Sequence, residues 1–489
     1  MEKSPAKLKE VSRVGDRPLI IGGVPRETGQ WLEVKNPHTG ELVGRVAVAT
    51  EKEVELATKT TQQALRVTER LPGWRRIEIL HAIADLIAEH REELAELITA
   101  EVAKPIDLSR GEADRAVDTF RFAAAELAAL RGEQVPLDLA RRGEGKSAMT
   151  IRVSVGPVLA ITPFNFPLNL VAHKLAPAIA AGCPILIKPT PKAPFTCLRL
   201  AELVLQAGWP PEALSVLVCS NELARRLVAD RRFRLFTFTG SNKVGWELRN
   251  LADRKKVILE LGGDAAVIVS PDAPDWERVI ARLALGAFAY SGQVCISVQR
   301  VFAHRSIYQR LVDDLVAYTQ DKVRVGAPDE EGVLVSSLID DGAANRVQSW
   351  VEDAVAKGAR LHCGGHRQGR LFDPMVLTDL PQETPLACEE AFAPLVVVFP
   401  YDELEEAFYL VNRSPFGLQA GIFTQSLSAA HRALRELRVG AVVVNDIPTF
   451  RVDNMPYGGE KESGLGREGL RYALEEYTEP RLMVIDLSS

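Results

Sequence analysis

The stretch GPVLAITPFNFPLNLVAHKLAPAIAAGCPILIKPT, residues 156–190, decides the fold. It opens on a short apolar run at 157–161, bounded by glycine and proline, which reads as a buried strand. A helical pattern over 168–181 follows, then a glycine and a second apolar run at 184–187. Toward the C-terminus the alternation continues, with runs at 214–218, 235–238 and 257–261 and helical patterns at 194–207, 221–229 and 241–252. Such alternation predicts a parallel sheet with right-handed crossovers. Sheets of this kind bind ligands outside the carboxyl ends of their strands. Those ends carry Thr162-Pro163-Phe164-Asn165, Lys188-Pro189-Thr190, Thr239-Gly240-Ser241 and Glu260.

Working outward, residues 16–50 read as an arm of small strands, and residues 51–131 as helical. Within Arg75–Ala103, Ile77, Leu80, Ile83, Ala84 and Ile87 recur at helical spacing, Leu94, Leu97 and Ile98 continue it, and Lys104-Pro105 is expected to end it. Residues 132–150 suggest a projecting hairpin. A second alternating region, about 264–460, has apolar runs at 265–269, 298–303, 395–399, 420–423 and 441–444. The tail ends in a β-prone run, Leu482-Met483-Val484-Ile485, that needs a partner strand.

At 489 residues the chain is expected to hold two or three domains. Its 59 basic and 65 acidic side chains give a charge of −6, with no basic stripe, so nucleic acid is not an expected partner. Apolar runs fall far short of the ~20 residues that span a membrane, and the polar N-terminus shows no secretory core. The cysteines at 183, 197, 219, 295, 363 and 388 form no CxxC pair, so a reduced, cytoplasmic compartment is expected.

Several residues suggest chemistry. Cys295 follows the glycine turn Ser291-Gly292-Gln293-Val294, which can present a nucleophilic sulfur, although free cysteines are often inert core residues. Glu260 lies in the apolar run Val257-Ile258-Leu259-Glu260-Leu261, as a general base or as half of an ion pair. Asn165, between Pro163 and Pro167, reads as an oxyanion donor or as a cap of the next helix. Phe238-Thr239-Gly240-Ser241 places small residues at a strand-to-helix turn, where backbone amides favour phosphate. The G-x-G-x-x-G match at 464–469 lacks the strand and following unit of a dinucleotide fold. His362-Cys363-Gly364-Gly365-His366 matches no zinc spacing and reads as a surface turn, so no metal is expected.

Taken in order, Thr162-Pro163-Phe164-Asn165-Phe166-Pro167, Phe238-Thr239-Gly240-Ser241, Leu259-Glu260-Leu261-Gly262-Gly263, Gly292-Gln293-Val294-Cys295, Glu389-Glu390-Ala391-Phe392-Ala393-Pro394 and the 456–468 segment resemble the NAD(P)-dependent aldehyde dehydrogenase superfamily. The resemblance covers essentially the whole chain and extends to lactaldehyde, semialdehyde and non-phosphorylating glyceraldehyde-3-phosphate dehydrogenase-like members. It implies two doubly wound α/β domains and a small β element. The cofactor-binding domain is expected at 1–131 and 152–262, the catalytic domain at 263–477, and an oligomerisation element at 132–151 and 478–489. It further implies that Cys295 attacks an aldehyde, that Asn165 and the Cys295 N–H hold the oxyanion, and that hydride leaves to the nicotinamide. Glu260 then activates the water that hydrolyses the thioester, with Lys174 and Glu468 relaying the proton. Thr162, Pro163, Phe164, Lys188, Pro191, Gly240, Ser241, Glu390 and Phe392 match cofactor-contacting positions.

Pro191 stands where NAD-preferring members often carry a glutamate, so the cofactor is read as NAD or NADP. Arg115, Phe166 and Arg451 match substrate-facing positions, the two arginines being suited to a carboxylate or phosphate; both also suit structural ion pairs. Val294 and Phe166 differ from the residues of the sugar-phosphate members, which argues against a sugar phosphate; a small aldehyde, with or without an anionic group, such as a lactaldehyde or semialdehyde, is expected. Transfer of the acyl group to coenzyme A and a catalytically inactive family member are the alternatives. A homodimer or homotetramer is expected.

Overall fold

The computed structural model describes residues 14–487. Residues 1–13 and 488–489, with the polar N-terminal stretch and the outer ends of the expected domains, lie outside the described residues.

Strands Val158–Ile161, Ile185–Lys188, Leu214–Val216, Leu235–Thr239 and Lys256–Glu260 form one parallel set. Helices Asn169–Ala181, Pro194–Gln206, Asn221–Ala229 and Asn242–Leu251 connect them. Every residue of the first two strands is buried, which is why they read as unbroken apolar runs rather than alternating ones. Across the sheet the order is 256–260, 235–239, 158–161, 185–188, 214–216. The chain runs outward from 158–161 in one direction and restarts on its other side at 235–239. The crevice between these two strands is therefore the switch point where ligands bind. Antiparallel pieces flank the set: Leu19–Ile21 pairs with Leu214–Val216, and Gly464–Leu465 pairs with Lys256–Glu260, setting Gly464 opposite Glu260.

A second sheet has the order 360–363, 375–378, 395–401, 300–304, 266–269, 419–423, 441–444, parallel except at Arg360–Cys363. A third joins Gln134–Val135, Lys146–Ser154 and Thr478–Asp486, with Leu482 opposite Thr150 and Val484 opposite Ala148.

Four details differ from the sequence reading. The helical pattern at 75–103 is two helices, Gly73–Glu89 and Arg91–Val102, broken at His90 where the sequence turns fully charged. The second helix stops at a left-handed Ala103, which turns Lys104 inward. Strands Arg360–Cys363 and Met375–Thr378 extend the second sheet beyond the expected apolar runs, the first mixed in composition and the second apolar but preceded by short strands rather than a helix; the His362–His366 stretch is a strand end followed by a turn at Gly364 and Gly365, both with positive φ. Finally, Leu470, Leu474 and Tyr477, grouped by sequence with the catalytic domain, join the core of the first sheet.

Candidate active site

Cys295 lies in the loop between the turn Ala289–Gly292 and strand Arg300–His304. Three successive residues there, Tyr290, Ser291 and Gly292, have positive φ (51°, 55° and 68°). Side chains other than glycine at such angles cost ~1–3 kcal/mol each and persist only where surroundings enforce them. Here Ser291 Oγ donates to the Ser336 carbonyl at 2.6 Å and accepts from its N–H at 2.9 Å, while Gln293 Oε1 accepts from Ile339 N–H at 3.0 Å. A Cβ at Gly292 would meet the Ala393 carbonyl oxygen at 2.0 Å, so glycine is obligatory. The loop is thus held in one conformation around a half-buried Cys295, the fixed geometry that a nucleophile requires. Burial pushes the Cys295 thiol up to about 11, partly offset by a hydrogen bond with Tyr457.

Asn165 sits in the loop after strand Val158–Ile161, and its amide nitrogen donates to the Gln293 carbonyl at 3.1 Å. This places it against the cysteine loop and sets the helix-cap alternative aside. The cap is supplied instead by Glu112, whose Oε1 accepts from Leu168 N–H at 2.8 Å and Asn169 N–H at 3.0 Å. Glu112 is ion-paired at 2.6 Å with Lys104, and Lys104 Nζ also donates to the Asn165 carbonyl and lies 3.5 Å from the Phe166 ring centroid. Both members of the pair are buried. Breaking such a pair typically costs about 3–5 kcal/mol, so it is a firm anchor for the Asn165 loop. Neither residue stood out in the sequence, because Lys104-Pro105 was legible only as a helix stop.

Glu260 ends the strand Lys256–Glu260, and its two carboxylate oxygens are buried with no hydrogen-bond partner. Burial, and then the charge of Glu468, raise it well above the usual carboxylate range. The close backbone of Gly458 keeps a side chain off it, since a Cβ there would come within 3.1 Å of Glu260 Oε1. Glu468 pairs with Lys174 at 3.0 Å, and Lys174 also donates to Thr237 Oγ1 at 3.1 Å. Burial alone would raise Glu468, but the cations Lys174 and Arg451 outweigh it and hold it low. Two neighbouring acids thus have their pKa values pushed apart, Glu260 up and Glu468 down, an arrangement suited to proton transfer.

At the switch point the donor set fits a dinucleotide. Thr162 Oγ1 and Thr239 Oγ1 are buried without partners at the ends of adjacent strands. Lys188, buried at the end of its strand, has a long contact of 3.5 Å to the Pro189 carbonyl, and burial lowers its ammonium below the usual range. Ser241 stands at the N-terminus of Asn242–Leu251 with its hydroxyl unused in capping, and a Cβ at Gly240 would strike the Phe238 ring. Glu390 accepts from Gly263 N–H at 3.0 Å and is raised by burial to about 7. Phe164 and Phe392 meet edge to face at 6.0 Å. Pro191 is exposed, and the neighbouring Lys192 pairs with Asp340.

The two arginines converge on one acid. Arg115 grips Asp453 with Nη2 at 2.6 Å and Nε at 3.1 Å, and Arg451 Nε lies 3.5 Å from Asp453. The salt-bridge alternative is therefore realised for both arginines, since Arg451 Nη2 also lies 3.3 Å from Glu468 Oε2. Arg451 is buried, its Nε makes no hydrogen bond, and its guanidinium lies 3.7 Å from the centroid of Tyr457. His173 completes the cluster with Nε2 2.7 Å from Asp453. Tyr457, whose hydroxyl is 3.0 Å from Cys295 Sγ, carried no sequence signal beyond its place in the Pro456-Tyr457-Gly458-Gly459 segment.

Residues 24–483 match the aldehyde dehydrogenase family. The chain is 41% identical to the 3-sulfolactaldehyde dehydrogenase of Priestia aryabhattai over 481 residues, 98% of this chain and 99% of that protein. The crystal structure of aldehyde dehydrogenase 21 from Physcomitrella patens, in complex with the reaction product succinate, superposes with a TM-score of 0.95 at 38% identity, covering 97% of this chain and 99% of that one. An NADP-dependent glyceraldehyde-3-phosphate dehydrogenase from Bacillus halodurans, complexed with NADP, gives 0.94 at 33% identity, covering 97% and 100%. By sequence and by fold, this chain belongs to the aldehyde dehydrogenase family.

Proposed function

We propose that this enzyme, which oxidises small aldehydes with a nicotinamide cofactor, takes an aldehyde bearing a carboxylate or sulfonate and releases the corresponding acid. The observation that carries the reading is the charge of the buried cluster. Three cations, Arg115, Arg451 and Lys174, face the two carboxylates of Asp453 and Glu468, and burial shifts Glu260 up and His173 down, each in the direction of its neutral form. These cations outnumber these carboxylates by one, and Arg451 Nε, 3.5 Å from Asp453, makes no hydrogen bond. An anionic substrate would satisfy both, and the sulfolactaldehyde in one relative's name and the succinate product bound in one solved neighbour carry such groups. Replacing Arg451 by alanine should raise KM for an acidic semialdehyde ~10–100-fold and leave a neutral aldehyde of equal length nearly unaffected. Equal effects on both substrates would exclude the assignment.

In this reading Cys295 Sγ bonds to the aldehyde carbon, and the resulting oxyanion is held by the Asn165 amide and the Cys295 N–H. Thr162, Pro163, Phe164, Lys188, Gly240, Ser241, Glu390 and Phe392 would hold the nicotinamide nucleotide, which supplies the hydride acceptor. Glu260, once deprotonated, takes a proton from the water that attacks the thioester, and Glu468 with Lys174 carries it away. A water-activating glutamate favours hydrolysis over transfer to coenzyme A. With proline at 191 there is no carboxylate to repel a 2′-phosphate, so NADP is accommodated as well as NAD.

The first sheet, with its helices and residues 464–477, serves as the cofactor domain, and the second sheet as the catalytic one. Met149, Ile151, Leu482, Met483, Val484 and Ile485 on the third sheet are exposed apolar side chains. They support a homodimer or homotetramer that buries this surface. Light scattering should give a mass of two or four chains, and a monomer would contradict this. Six unpaired cysteines support a reducing compartment such as the cytoplasm, and no helix among the described residues is long and apolar enough to cross a membrane.

A further inference from the structure

Tyr457 is buried, and its hydroxyl oxygen lies 3.0 Å from Cys295 Sγ. Its backbone is locked to Glu468 by two hydrogen bonds, Tyr457 N–H to the Glu468 carbonyl at 3.0 Å and Glu468 N–H to the Tyr457 carbonyl at 2.6 Å. The ring is fixed from its other side by Arg451, stacked at 3.7 Å. A phenol held this firmly against the reactive sulfur is placed to do more than fill space.

The charged groups facing the sulfur come from three other segments. Glu390, from the turn before strand Leu395–Tyr401, and Glu260, from the end of its strand, disfavour a thiolate; Arg451, from the 450–455 loop, favours one. Burial disfavours it most, and holds the thiol up at about 11. Burial also raises the Tyr457 phenol well above its ordinary range, which favours the protonated, hydrogen-bond-donating form. A cation on the face of an aromatic ring draws density from its oxygen and improves the O–H as a donor.

We propose that Tyr457 is a further catalytic residue: its hydroxyl donates a hydrogen bond to Cys295 Sγ, stabilising the thiolate before attack and again when sulfur leaves the thioester. No covalent bond to the phenol forms, and its proton stays on oxygen. This rests on Cys295 being the nucleophile.

Tyr457→Phe removes one oxygen and keeps the ring beneath Arg451. Alkylation of Cys295 by iodoacetamide, followed by mass spectrometry of its peptide, should slow ~10-fold at pH 8, the worth of one hydrogen bond to a charged acceptor. Thiolate absorbance at 240 nm, taken as a difference against Cys295→Ser, should rise about one pH unit later than in the parent. Slower alkylation with an unmoved thiolate titration would reveal a steric role and overturn the proposal, as would alkylation at the parental rate. Were Cys295 not the nucleophile, Cys295→Ser would keep its turnover, a result separate from either titration.

Discussion

Cys295→Ser is expected to lower turnover of the best aldehyde ~10⁴-fold or more, with binding of the nicotinamide nucleotide unchanged. The groups facing this position are Tyr457, Glu390, Arg451 and Glu260, none of them an imidazole that could take a proton from serine. A thiol reaches its anion without such a base far more readily than an alcohol does. The rigid loop around it, held by Ser291, Gln293 and Gly292, does not depend on the sulfur. The variant should therefore fold and melt like the parent, which confines the loss to the chemistry.

Glu260→Gln is expected to separate the two halves of the reaction. The first turnover should proceed, giving a burst of about one reduced nicotinamide per subunit, while the steady state falls ~10²–10⁴-fold. The amide is nearly isosteric, and no hydrogen bond to the carboxylate oxygens is lost. The pH dependence has a definite sign. Burial and the neighbouring Glu468 charge raise Glu260 well above 4.5, so at low pH it carries a proton and cannot accept one from water. Hydrolysis should rise with pH through that raised value and level off above it, and the glutamine variant should lack this limb. Unaltered steady-state turnover in the variant would remove Glu260 from the mechanism.

The parallel strands at 158–161, 185–188 and 235–239 were legible because burial on both faces forces continuous apolar runs, and the chemically reactive residues fall at their carboxyl ends. Strand Arg360–Cys363 lacks that composition, and Met375–Thr378, though apolar and buried, follows short strands rather than a helix; they are placed by pairing with each other and, for the second, with 395–401. Cys295, Glu260 and Asn165 announced themselves through local oddity: a cysteine after a glycine turn, an acid in an apolar run, an asparagine between prolines. Lys104, Glu112, His173, Asp453 and Tyr457 did not. Each acts through partners far off in sequence, as when Lys104 supports the Asn165 loop or Asp453 gathers Arg115, Arg451 and His173. Periodicity reports which face of an element is buried, but it is silent on which distant charge will meet it.

The account's central claim is an acyl group carried on one sulfur. Glu260→Gln mixed with aldehyde and NADP or NAD, quenched in acid and digested, should yield the Cys295 peptide heavier by one acyl group, at close to one per subunit. Full conversion to acid with an unmodified Cys295 peptide at every time point would contradict it.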